Sequence, residues 1–223
     1  LTVESLDGEC GYPGNFKATV IYNLTDDNEL EIDYSATTDA DTLCNLTNHA
    51  YFNLDGFASG DVLDQKIQIF ADSYTWANEE SVPDGRILPV TNTPLDLRKL
   101  QTIGEHIDDD FDQLNFAHGY DHNFCVGKLG ELKKAAFAEG AKSGIKLEIF
   151  TTMPGLQFYA GNFLNGNPTG KGGTEILRRS GFALESQFYP NAINCPNFDQ
   201  PILKADECFQ SKTIYKLQCF VRI

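Results

Sequence analysis

Positive charge is scarce in this chain: 17 Lys and Arg stand against 32 Asp and Glu, a formal net charge of -15 over 223 residues. That mean field repels phosphate backbones and anionic lipid headgroups, which argues against nucleic acid or a membrane surface as partner and leaves a neutral ligand unpenalised. No apolar run approaches the length of a membrane span, and the first residues show neither a basic region nor a cleavable apolar segment. The six cysteines, Cys10, Cys44, Cys125, Cys195, Cys208 and Cys219, include no Cys-x-x-Cys pair, so neither a zinc knuckle nor a redox motif is indicated. Reduced thiols in a cytoplasmic protein are the expectation, and the Asn-x-Thr sequons at Asn23 and Asn45 then read as chance. Repeats, low-complexity tracts and linkers are also missing. The only methionine is Met153, and the chain opens at Leu1 in strand-like sequence without an initiator. The expectation is therefore a single domain over residues 1–223 that represents part of something longer.

What is present is alternation. After Tyr12-Pro13-Gly14-Asn15, with Pro and Gly at the central positions of a type II turn, Phe16, Ala18, Val20 and Tyr22 share one side of a strand. Asp26-Asp27-Asn28 turns the chain into a second strand, where Leu30, Ile32, Tyr34 and Ala36 alternate with Glu29, Glu31, Asp33 and Ser35. Further strands are expected at 66–71, 86–90 after a Pro83-Asp84-Gly85 turn, 123–126, 131–138, 145–152, 156–161, 181–187 and 213–223. A hairpin loop is expected at 139–144. Only Leu95–His106 invites a helix of a turn or two, limited by Pro94 and Gly104. Asp108-Asp109-Asp110 reads as a solvated loop. Strands this numerous and evenly punctuated predict an all-β sandwich or barrel.

Chemistry-bearing residues are few. Asn45-Leu-Thr-Asn-His-Ala-Tyr-Phe-Asn-Leu54 places His49 among amides and aromatics, suited either to a hydrogen-bonded strand histidine or to the wall of a pocket for a hydroxyl-rich ligand. Gly170-Lys171-Gly172-Gly173 lacks the upstream Gly, the following Ser or Thr and the helix of a phosphate loop. His118-Gly119-Tyr120-Asp121-His122 holds two histidines and a carboxylate, yet Gly119 opposes the helix that would put both histidines on one face, so no metal is assigned. Glu185 lies in a strand between Phe182 and Leu184 on one side and Ala183 on its own side. On a wet face it is a surface residue; facing a pocket, its desolvated carboxyl would rise in pKa toward general-base use.

Taken together, Asn45–Leu54, Gly119-Tyr-Asp-His-Asn-Phe124, Pro154-Gly-Leu-Gln-Phe-Tyr-Ala-Gly-Asn-Phe163 and Leu184-Glu-Ser-Gln187 followed by Asn197 resemble, in one order, the galactose mutarotase (aldose 1-epimerase) family. The resemblance runs from about Gly8 onward. It implies a large antiparallel β-sandwich and the interconversion of α and β anomers of free hexoses such as galactose and glucose, with no cofactor or metal. By position it implies that Glu185 is the general base, His49 the general acid, and that Asp121 and Gln157 bind sugar hydroxyls. The family's upstream Arg and His have no counterpart here, so the expectation includes a missing N-terminal segment of the same polypeptide that completes the pocket. Ala50 stands where Ser is common in the motif. A sugar-binding or regulatory protein on the same fold, or a hexose-phosphate epimerase, remain the alternatives.

Overall fold

The computed structural model describes residues 1–167 and 169–219. In chain order the strands are β1 (Thr2–Ser5), β2 (Phe16–Leu24), β3 (Glu29–Thr38), β4 (Thr42–Leu43), β5 (Tyr51–Phe52) and β6 (Lys66–Ile69). They continue with β7 (Ser73–Ala77), β8 (Pro83–Pro89), β9 (Gln101–Thr102), helix α1 (Asp112–Ala117), β10 (Asp121–Cys125) and β11 (Lys133–Glu139). The last are β12 (Lys146–Thr151), β13 (Gly155–Tyr159), β14 (Phe182–Gln187), β15 (Ile202–Leu203) and β16 (Cys208–Gln218). An eight-stranded sheet, β1-β2-β3-β16-β12-β11-β6-β9, packs against a six-stranded one, β5-β14-β13-β10-β7-β8, and every strand pairing is antiparallel. The expected antiparallel sandwich is what the chain forms.

Period-two alternation builds the first sheet's inner face. Ile32, Tyr34 and Ala36 of β3, Ile67 and Ile69 of β6, and Leu147 and Ile149 of β12 are all buried. All but Ala36, which packs in a smaller cluster with Ala18, Cys44 and Leu203, meet Phe124 of β10, Leu156 and Phe158 of β13, and Phe182 and Leu184 of β14 in one continuous core. The turn at 26–28 works because Asn28 takes a left-handed φ of 60° while Thr25 N–H reaches the Glu29 carbonyl at 2.9 Å. At the sheet's edge the inner face runs out of cover: Tyr22 and Leu24 of β2 point to the same side as Ile32 yet are 47% and 76% exposed.

Several expectations are corrected. Leu95–His106 forms no helix, because Leu95, Leu97 and Ile103 are drawn fully into the core and its backbone bonds long-range, Ile69 N–H to the Leu97 carbonyl and Ile103 N–H to the Gln65 carbonyl. The helix lies later, at Asp112–Ala117, where buried Gln113 is tied to Ala77 of β7 through both its amide oxygen and nitrogen and His118 ends the turn at φ 56°. Pro83-Asp84-Gly85 belongs to strand β8; the preceding turn is made by Asn78, whose side-chain oxygen accepts the N–H groups of Glu80 and Val82. Asp108 is not merely solvated, for both its oxygens bind buried Arg179, at 2.6 and 2.9 Å. The final strand begins at Cys208 and ends at Gln218, and residues 220–223 of the expected strand lie outside the described residues.

Candidate active site

The six-stranded sheet has one apolar face toward the core and one polar face, and antiparallel register decides what shares the latter. Asn123 of β10 pairs with Gln157 of β13, which pairs with Glu185 of β14. One step of two along each strand, Asp121 pairs with Tyr159, Tyr159 with Ala183, and Ala183 with Tyr51 of β5. Glu185, Gln157 and Asp121 are thus brought to one surface from three strands. The irregular loop before β5 swings His49 over it, so that His49 Nε2 lies 3.4 Å from Glu185 Oε1. The segment 45–54 is a regular strand only at Tyr51–Phe52; its hold on the site comes instead from Asn45, whose amide accepts Phe188 N–H at 2.9 Å and donates to the Phe188 carbonyl at 3.3 Å, just beyond the end of β14.

All four expected site residues therefore converge. Gln157 Nε2 donates to Asp121 Oδ1 at 2.7 Å. The rings of Tyr51 and Tyr159 flank His49 with centroids 5.0 and 6.1 Å away, giving the site two aromatic walls. Tyr159 also stacks on Phe163. Glu185 is 9% exposed, and burial, the largest influence, raises its pKa; the nearby His49 opposes the rise and the Asp121 charge adds to it. Asp121 is likewise raised by burial, against the Gln157 hydrogen bond and His49, which favour its charged form. Two carboxylates share this face with one histidine as their only cationic partner among the described residues, and neither gives up its proton as readily as in water. A half-exposed imidazole beside a desolvated carboxylate can hand one proton out and take another in.

The other histidines are structural or peripheral. His122, on the opposite face of β10, is buried, accepts Asp121 N–H at Nδ1 and donates from Nε2 to the Gln113 carbonyl; burial pushes it down to about 4, so it stays neutral. His118 caps α1. Among the described residues no group of three or more His, Cys, Asp or Glu side chains is placed to hold a metal ion. No helix among them is long and apolar enough to cross a membrane. Asn197 lies on the start of β8, donating to the Gly85 carbonyl.

Sequence reasoning missed Asn123, Gln187, Tyr51 and Tyr159 as components of this face. A signal for three of them was present: each stands two residues along a strand from an identified residue, Asn123 from Asp121, Tyr159 from Gln157 and Gln187 from Glu185, and side chains two apart share a face.

The chain is similar to known proteins over nearly its whole length. The family model described as "Aldose 1-epimerase" matches residues 1–216. The chain is 44% identical over 212 residues to a galactose mutarotase of Rattus norvegicus, covering 95% of this chain and 60% of that protein. It is 42% identical over 217 residues to an aldose 1-epimerase of Escherichia coli K12, covering 96% and 62%. Among solved structures, an aldose epimerase homologue from C. elegans superposes with a TM-score of 0.87 at 29% identity, over 99% of this chain and 65% of that one. A galactose 1-epimerase from Lactobacillus acidophilus gives 0.84 at 30%, over 99% and 62%. The chain spans about three fifths of the length of the curated relatives it matches. With the fold, the converging motifs and these similarities in agreement, the chain belongs to the aldose 1-epimerase family.

Proposed function

We propose that this chain, as one β-sandwich domain, carries the acid and base groups of an aldose 1-epimerase acting on free hexoses. The observation that carries the reading is the 3.4 Å approach of His49 to Glu185 on a face that also presents Asp121 and Gln157. The anomeric hydroxyl and the ring oxygen of a hexose are bonded to the same carbon, so an acid and a base that serve both must converge within one side chain's reach. Glu185 takes the proton from the anomeric hydroxyl, the electron pair of that bond forms the aldehyde C=O, the bond from C1 to the ring oxygen breaks, and His49 gives the ring oxygen its proton. Rotation about C1–C2 presents the other aldehyde face. On closure His49 takes the proton back from the attacking hydroxyl while Glu185 returns its own to the carbonyl oxygen, so both groups end as they began. Asp121 accepts hydrogen bonds from sugar hydroxyls and Gln157 both donates and accepts, which fixes the ring against this pair. The aromatic walls suit the apolar face of a pyranose. The six cysteines, all unpaired, support a reducing, cytoplasmic setting.

The test is polarimetry of freshly dissolved α-D-galactose and α-D-glucose with the chain. Acceleration over buffer that falls at low pH, as Glu185 protonates, is expected. Sugar binding without acceleration would make the chain a sugar-binding protein on this fold, and a preference for glucose 6-phosphate over glucose would make the substrate a phosphorylated one.

A further inference from the structure

Behind Gln157 lies a row of amides that the proposed reaction does not use. Gln187 Nε2 is 3.3 Å from Gln157 Oε1 and 3.4 Å from Asn123 Oδ1, and Asn123 Nδ2 is 3.3 Å from Thr75 Oγ1. The row crosses β13, β14, β10 and β7 and is buried: Gln187 is 9%, Asn123 3% and Thr75 2% exposed. Room for it comes from Gly155, where a Cβ would lie 2.4 Å from Asn123 Oδ1 and 3.0 Å from Tyr189, so the glycine is required by space.

The donor and acceptor order along this row is forced from one end. An ionised Asp121 only accepts, so Gln157 must turn its NH2 toward it and its oxygen away. That oxygen then needs a donor, which Gln187 supplies with one hydrogen of its NH2. The other hydrogen goes to Asn123 Oδ1, so Asn123 must in turn offer its own NH2 to the Thr75 hydroxyl oxygen. Reversing Gln157 or Gln187 puts oxygen against oxygen, and reversing Asn123 puts its NH2 against that of Gln187; either misfit at a buried contact costs more than a lost surface hydrogen bond.

We propose that Gln187 and Asn123 are positioning residues, which hold Gln157 in the single amide orientation that serves both Asp121 and a sugar hydroxyl. This rests on the proposed epimerase reading. Neither residue touches the reacting atoms; they act through Gln157, and the His49–Glu185 pair stands outside the row.

The experiment is steady-state mutarotation of galactose by Gln187→Met and Gln187→Glu, with galactose affinity measured by calorimetry beside it. Met keeps the length and removes the donor; losing one neutral hydrogen bond to Gln157 raises KM and the calorimetric Kd about fivefold, with kcat retained. Glu keeps the shape more closely but sets an acceptor against Gln157 Oε1 and Asn123 Oδ1, so its KM rises further than that of Met. A role in packing alone orders the two variants the other way. Should the Gln187 variants fail to fold, Asn123→Ala, which removes the acceptor that orients Gln187, is expected to raise KM and Kd in the same direction. Unchanged KM and Kd in the folded variants, a Glu variant milder than Met, or a fall in kcat at constant KM each overturns the proposal. A wild-type chain that binds galactose without turning it over instead overturns the epimerase reading, and the Kd series then decides whether the row positions Gln157.

Discussion

Glu185→Gln separates what the fold wants from what the chemistry wants. The carboxylate is nearly buried, and the one cationic partner it has among the described residues is a half-exposed histidine at 3.4 Å. A carboxylate that has lost its water and is short of hydrogen bonds costs about 2 kcal/mol or more relative to a group satisfied there. The ion pair with a histidine that is 47% exposed offsets no more than about 1 kcal/mol of that. An amide of the same shape carries no charge to desolvate, so at neutral pH Glu185→Gln is expected to be the more stable protein by about 1 kcal/mol, a rise in Tm of about 2–4 °C for a chain of this size.

The pH dependence gives this its sign. Burial raises the Glu185 pKa, so the native state holds the proton more firmly than the unfolded chain does. The stabilisation from that proton is present below the ordinary carboxylate value and is lost as pH rises through the raised native value. Wild type therefore weakens over that interval while the Gln variant, which cannot ionise there, does not. The gap between them should be small in acid and open toward neutrality. Over the same interval activity moves the other way: wild type gains its base, and the variant remains lower by about 10²–10⁴. Thermal melts by circular dichroism across pH, beside polarimetry of the same samples, measure both. A variant less stable than wild type at neutral pH, or a gap that does not change with pH, would show that Glu185 is well partnered as an anion and would refute the reasoning.

His49→Asn should lower turnover by about 10²–10⁴; since His49 is what holds the Glu185 pKa down, the acid limb of the remaining activity should also move to higher pH in a polarimetric profile. Asp108→Asn strips buried Arg179 of its ionised partner and should cost about 1–2 kcal/mol in urea unfolding, a discounted value because Asp108 itself is largely exposed. Arg179 depresses the Asp108 pKa, so this contribution is present above the ordinary carboxylate value, and the difference between the two proteins should vanish as pH falls through the depressed one. Asn45→Ala leaves the Phe188 N–H and carbonyl without their partner and should cost about 1–2 kcal/mol in chemical denaturation; kcat should fall with it, because this contact ties the loop of His49 to the strand of Glu185.

How far the sequence speaks depends on whether a residue's environment is set by its neighbours in the chain or by register. β3 and β12 were legible because alternate residues meet opposite media, Ile32 and Leu147 in the core and their neighbours at the surface. Leu95–His106 misled because its apolar spacing serves a loop pulled into the core, where long-range backbone bonds replace those of a helix. Pro83-Asp84-Gly85 misled because Asn78, several residues earlier, already makes the turn. Glu185 shows the limit most clearly. Alternation offers a strand one buried face and one wet face, and a glutamate among apolar residues then belongs on the wet one. In β14 all six residues are buried, since the core covers Phe182, Leu184 and Ser186 while His49 and the neighbouring strands cover Ala183, Glu185 and Gln187. That second cover comes from residues 36 positions apart in β10 and β13, and from a loop more than a hundred residues upstream held by Asn45, 143 positions from Phe188. Period-two logic names the residues that share a face once one of them is known, but only the pairing of Asn123 with Gln157 and of Gln157 with Glu185 decides that the shared face is a site.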